Sequence, residues 1–175
     1  MAATPAGSAT AVQPIVRQLP PGQPFTFWQH HLEYRTAEGP SFLNITEEVR
    51  QVVQASGISW GQVTVFSNHT TAAIRLQEDE PLLIEDLKDL LRRIAPREHN
   101  YRHNDFEVRT VNMHPNESPN GHSHCQHLLL STSETIPLVD GDLQLGTWQS
   151  IFLVELDGGR ERRVTVNILG IPRGD

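Results

Sequence analysis

Trp148-Gln149-Ser150-Ile151-Phe152-Leu153-Val154-Glu155-Leu156-Asp157-Gly158-Gly159-Arg160-Glu161-Arg162-Arg163-Val164-Thr165-Val166-Asn167-Ile168 is the stretch that decides the fold. From Trp148 to Leu156 apolar residues fall on both parities, which predicts a strand covered on both faces, with Trp148 packed in the core at its start. Asp157-Gly158-Gly159 is a turn signal. Arg163 to Ile168 then alternates polar and apolar, as a strand covered on one face does. Two such runs joined by a tight turn make an antiparallel pair, so the fold grows from a sheet.

Working outward, Phe25 to Thr36 is rich in aromatic residues and places Trp28, His30, Leu32 and Tyr34 on one strand face. After Gly39-Pro40, the valines at 49, 52 and 53 set a helical stripe over Thr46–Ser56. Thr46 serves as its cap, Glu47 and Glu48 suit its positive end, and Gly57 is its left-handed stop. Gly61 to Ser67 alternates as a strand and delivers Asn68-His69-Thr70-Thr71 at its far end, with a further strand through Ala73 to Leu76. Glu78-Asp79-Glu80-Pro81 opens a second helix whose buried stripe reads Leu83, Leu87, Leu90, Leu91 and Ile94, ended by Pro96. Beyond Arg97 the pattern predicts mostly strands: Phe106–Met113, Leu128–Leu130 and Ile136–Val139, with Asp140-Gly141 as a turn. Two helices among seven or eight mostly antiparallel strands predict an α+β domain, a β-sandwich core with helices packed on one side.

Composition bounds the function. The chain has 175 residues, one domain's worth, and a formal charge of −7, which argues against nonspecific nucleic-acid binding. Residues 1–24 hold five prolines and no amphipathic period, and read as a disordered leader before a single domain over 25–175. No secretory signal and no membrane-length apolar run is present, so the expected location is the cytoplasm, with no membrane partner. A lone Cys125 rules out an internal disulfide framework; a small buried thiol is its expected role.

Chemistry is concentrated in histidine. Five of nine histidines lie between His103 and His127. Neutral imidazole binds zinc-like metals and titrates near neutrality. On an extended loop His122 and His124 would share a face. His69 stands at a strand end beside two threonines whose hydroxyls can bond phosphate. A catalytic zinc-type centre needs three protein ligands and an open position, which His69, His103 and His124 would supply if the fold gathers them. Solvated loop histidines are the plain alternative. Glu78 is a candidate general base, or simply complements a helix start. Trp148 and Gln149 are packing first and pocket lining second.

Several runs together resemble the YjbQ-like family of secondary thiamine-phosphate synthase enzymes. Asn68-His69-Thr70-Thr71-Ala72-Ala73 is similar to its His-Thr-Ser-Ala motif, and Tyr101-Arg102-His103 to its Tyr-x-His. Ser123-His124 with Leu128, Ser133 and Ile136-Pro137 is similar to its His-Ser-Pro segment. Leu145 to Glu155, followed by Arg162-Arg163-Val164 and Gly170, is the most specific match. The resemblance implies a compact α+β homotrimer and a site joining His69, His103 and His124 around a divalent metal such as zinc. It also implies a phosphate-bearing small-molecule substrate: a pyrimidine-methyl pyrophosphate joined to a thiazole phosphate. In such a reaction Thr70, Thr71 and Ser133 would donate hydrogen bonds to the phosphate, while Glu78 is the possible base of a hydrolytic alternative. The chain departs from the family at Gln77-Glu78-Asp79, Gln126-His127-Leu128 and Leu130-Ser131. The second of these replaces a lysine that would help bind leaving pyrophosphate. Metal-dependent hydrolysis and a non-catalytic binding trimer are the alternatives carried forward.

Overall fold

A computed structural model describes residues 25–172; the proline-rich leader expected over 1–24 lies outside the described residues. The strands are β1 (Thr26–Arg35), β2 (Ser41–Asn44), β3 (Ile58–Ser67), β4 (Ala72–Gln77), β5 (Ser133–Val139), β6 (Asp142–Leu143), β7 (Ser150–Glu155) and β8 (Glu161–Pro172). Three helices, α1 (Thr46–Ser56), α2 (Pro81–Ile94) and α3 (Gly121–His127), join them, with a 3-10 turn at Arg102–Asn104. The domain is α+β. A five-stranded sheet runs β1-β8-β3-β5-β6 and a three-stranded sheet runs β2-β7-β4, every pair antiparallel.

The quoted stretch explains why there are two sheets. Along β7, Ile151 and Leu153 join the core shared with Val63, Val65, Ile136, Val164, Val166 and Ile168 of the large sheet and Val49, Val52 and Val53 of α1. Phe152, Val154 and Leu156 face the other way, onto Ile84 and Leu91 of α2. One strand thus divides two cores, and each buried large side chain contributes about 1.5–3 kcal/mol. Asp157-Gly158-Gly159 returns the chain into β8, where alternation buries one face as expected.

Local reading succeeds where a side-chain pattern and a stop signal coincide. The first helix spans Thr46–Ser56 and ends at Gly57, φ 67°. Thr46 does not cap it. Asn44 Oδ1 accepts from the Thr46 backbone N–H at 3.0 Å, while the Thr46 hydroxyl accepts from Ile151 N–H at 2.8 Å and stitches the helix to β7. In α2 the Glu80 carboxylate caps through Leu82 and Leu83 N–H, at 2.9 and 2.7 Å. These bonds hold it below the ordinary carboxylate range. The buried stripe is rotated from the expected one: Ile84 and Leu91 are inside, whereas Leu90 and Ile94 are exposed.

Three further expectations are overturned. Phe106–Met113 and Leu128–Leu130 are turns and irregular chain, not strands. The end of the histidine-rich stretch, Gly121–His127, is the short helix α3 and not a loop. Trp148 is 71% exposed, because Gly146–Gln149 forms a turn closed by Gln149 N–H to Gly146 O (2.9 Å) and Gly146 N–H to the Gln149 side chain (2.8 Å). The strand therefore starts at Ser150.

Candidate active-site cavity

Helix α3 has no apolar stripe, and polar tertiary bonds hold it. Gln126, 1% exposed, donates its amide to Leu91 O (3.2 Å) and Ala95 O (3.1 Å) at the end of α2, where Leu91 O also accepts the Ala95 N–H. The Ser123 hydroxyl donates to Leu156 O at 2.6 Å. Gly121 lies so close to Tyr101 that a Cβ would stand 2.5 Å from the Tyr101 Cβ, and Asn104 Oδ1 accepts from its N–H at 2.9 Å. This close approach brings the 3-10 turn onto the helix. The rings of His103 and His124 then meet edge to face, centroids 4.6 Å apart. Two residues along a helix is about 200°, so His122 points away, buried, with Ser123 hydroxyl 3.2 Å from its Nε2.

His103 and His124 sit on the wall of a cavity of about 450 Å³ together with Thr70, Thr71, Arg109, Asn112, His114, Asn116, Glu117, Asn120, Asp157, Arg160 and Arg162. Each guanidinium is braced by a carboxylate. Arg162 grips Glu155 through Nε (2.6 Å) and Nη2 (2.5 Å) and also reaches the Thr71 hydroxyl (3.0 Å). Arg109 grips Glu117 at 2.6 and 2.8 Å and donates to the carbonyls of His103 and Asn112. Arg160 meets Asp157 at 2.9 Å and is 37% exposed at its side chain, the most open of the three.

Burial, and then the neighbouring His103, lowers the pKa of His124 from the ordinary imidazole value, so its ring is neutral at neutral pH. Among the described residues its ring nitrogens carry no hydrogen bond, which leaves it the most available proton donor or acceptor on the wall. Burial pushes Asp157 upward. Its bonds from the Asn120 amide and Gly158 N–H, with Arg160 beside it, outweigh that and hold it below the ordinary range. Glu117 is held low by its Arg109 bonds despite burial.

The residues singled out from sequence divide into two groups. His103, His124 and Thr70 come together on the cavity wall. Ser133 starts β5 opposite Phe66, and Glu78 follows β4 with its N–H on the Gln77 side chain; neither lines the cavity. His69 Nε2 accepts from Arg163 N–H at 2.7 Å, which puts its proton on Nδ1 and leaves no ring lone pair for a metal. His103 Nε2 is taken in the same way by Arg109 Nη1, at 3.1 Å. The three-histidine donor set therefore does not fit a metal within one chain. Among the described residues no three His, Cys, Asp or Glu side chains are grouped to hold an ion. Cys125 is exposed on α3 instead of buried. Sequence reasoning missed Arg109, Asn120 and Asp157. The arginines at 160 and 162 were visible, as was the Asp157 turn, but nothing local tied them to the histidines.

Fold and cavity define a two-sheet α+β domain with a polar site of arginine and imidazole where the ends of β7 and β8 meet α3. The model of the UPF0047 protein YjbQ-like family matches residues 30–171, and the chain belongs to that family. A UPF0047 protein of Methanothermobacter thermautotrophicus is 37% identical over 145 residues, covering 83% of this chain and 94% of that one. YjbQ of Escherichia coli O157:H7 is 29% identical, covering 82% and 99%. Among solved structures, a YbjQ-like protein of unknown function from Sulfolobus solfataricus aligns with TM-score 0.75 at 35% identity, covering 83% of this chain and 99% of that one. A hypothetical protein from Aeropyrum pernix aligns with TM-score 0.71 at 33% identity, covering 82% and 98%.

Proposed function

We propose that the cavity is the active site of an enzyme acting on phosphate-bearing small molecules, and that its reaction is of the secondary thiamine-phosphate synthase type. The observation that carries this reading is the contact of His103 with the neutral, unbonded His124 ring on a wall that also holds Arg109, Arg160 and Arg162. In the reaction a thiazole nitrogen attacks the methylene carbon of the pyrimidine-methyl pyrophosphate. A C–N bond forms, the C–O bond breaks, and the electron pair leaves with pyrophosphate. Arg160 meets the charge growing on that leaving group, and the Thr70 hydroxyl and the His124 N–H donate to it. Arg109 and Arg162, already braced by carboxylates, hold the wall in shape.

A divalent metal enters no step here, since two of the three expected imidazoles have their Nε2 engaged by protein donors. The homotrimer implied by family resemblance belongs to this reading. Exposed Leu128 (84%) and Trp148 (71%) support it as apolar surface in want of cover.

The test is turnover of isotopically labelled pyrimidine-methyl pyrophosphate and thiazole phosphate by the full chain, with and without chelator. Coupled product is expected in both, falling about 10²–10⁴-fold in His124→Ala. No product above the no-enzyme rate, or phosphate release to water alone, overturns the synthase assignment. One transition-metal equivalent per chain, lost with turnover on chelation, overturns the metal-free mechanism.

A further inference from the structure

Asn120 immediately precedes α3, the position where asparagine ordinarily turns its side-chain oxygen back to accept a backbone N–H of the first turn. Here it does not: the helix has no side-chain cap bond. The carboxamide is turned the other way, with Nδ2 donating to Asp157 Oδ2 at 2.9 Å. Asp157 cannot accept the opposite orientation. Its Oδ2 also takes Arg160 Nε at 3.1 Å, its Oδ1 takes Gly158 N–H at 2.7 Å, and it is held ionised, so a carboxamide oxygen facing it would be repelled.

The result is a fixed Oδ1 with no donor. Asn120 is 8% exposed, its Oδ1 is buried without a hydrogen-bond partner, and the residue belongs to the wall of the His103–His124 cavity. A buried acceptor left unpaired bears its full desolvation penalty. Here a capping bond has been given up as well. The donors that follow Asn120 in the chain are engaged elsewhere: the Gly121 N–H by Asn104 and the Ser123 hydroxyl by Leu156 O. A ligand seated in the cavity can supply the missing donor where Asn120 forms its wall.

We propose that Asn120 is a specificity-determining residue whose Oδ1 accepts a hydrogen bond from an amino or ring N–H group of the substrate, with Asp157 as the positioning residue that sets the carboxamide. The substrate class is an anionic, amino-bearing heterocycle, its charge met by Arg160 and its amino group by Asn120. This rests on the active-site reading above and narrows it.

The probes are two pyrimidine-methyl phosphates differing only in an exocyclic amino group, titrated calorimetrically into the full chain and its variants. The amino compound is expected to bind the native chain about 10- to 100-fold more tightly, the factor one such bond supplies. Asn120→Ala should erase that preference while leaving the affinity for the des-amino compound within about threefold. Asp157→Asn should weaken the preference without removing the residue that makes it. Thermal unfolding checks that each variant is folded, and Asn120→Ser serves if Asn120→Ala is not. Equal binding of the two probes, or a preference retained in Asn120→Ala, overturns the proposal while leaving synthase turnover untouched. Failure of both probes to bind overturns the proposal together with the active-site reading.

Discussion

Two arginine–carboxylate pairs border the same cavity and are built differently. Glu155–Arg162 joins β7 to β8, with side chains 1% and 4% exposed, and its carboxylate is further tied by the Thr36 hydroxyl and the N–H groups of Leu156 and Asp157. Arg109–Glu117 is local, eight residues apart in irregular chain, with side chains 11% and 15% exposed. The first is part of the frame, and its desolvation is offset only because nearly every lone pair is used. The second folds a connecting segment over the site. One wall is set by the sheet core, while the other can be altered without touching that core.

The largest expected effect follows from breaking the frame pair. Glu155→Leu or Arg162→Met alone should cost about 3–5 kcal/mol in chemical denaturation, by leaving a buried charge unpaired, whereas the double variant should lose much less. If the single and double variants lose equally, the pair is not an isolated unit. Arg109→Ala should cost about 1–3 kcal/mol, felt locally. Amide exchange should rise across 103–117 while β7 and β8 stay protected; uniform exchange through both regions would erase the contrast.

Acidification should sharpen it. His69, His122, His124 and His127 all have pKa values lowered, each chiefly by burial. The unfolded chain therefore takes up protons first. Stability from these groups is complete above the ordinary value of about 6.5 and is lost as pH falls from there toward their folded values. Urea midpoints should drop from pH 7.5 to 5.5, and less so in His122→Asn/His124→Asn; an unchanged midpoint would contradict the burial. Lower still, Glu117 follows the same sign: its contribution is present above about 4.5 and fades as pH falls through its depressed value. That should loosen segment 103–117 before the strands. Smallest of all, Trp148→Ser should shift stability by no more than about 0.5 kcal/mol, as for an exposed turn residue. A core tryptophan would cost several times more.

How much of this was legible follows from where the stabilising contacts lie. The Thr46–Ser56 helix and the pairing of β7 with both cores could be read because Val49, Val52, Val53 and the residues 151–156 carry their own burial pattern. The stripe of α2 was misplaced because seven apolar positions, at 82, 83, 84, 87, 90, 91 and 94, offer more than one face, and only the β4–β7 surface selects among them. Helix α3 was illegible because Ser123, Gln126 and Gly121 hold it through bonds to residues 17 or more positions away, and neither periodicity nor a cap announces it. Of the site, His103, His124 and Thr70 were found from residue type. Their companions Arg109, Asn120 and Asp157 came only with geometry, since a salt-bridged arginine and a turn aspartate look the same wherever they occur.

The clasp that Gln126 makes on the last carbonyls of α2 has a consequence for change over time. It anchors the downstream end of the intervening chain, while Asn104 and Tyr101 secure the upstream end against Gly121. Provided Arg109 keeps its bonds to His103 and Glu117, the rest of the chain from 105 to 117 can lengthen, shorten or swap residues without dislodging the imidazoles at either anchor. A lineage could remodel what this domain admits by editing one tethered ribbon, keeping its catalytic hardware in place throughout.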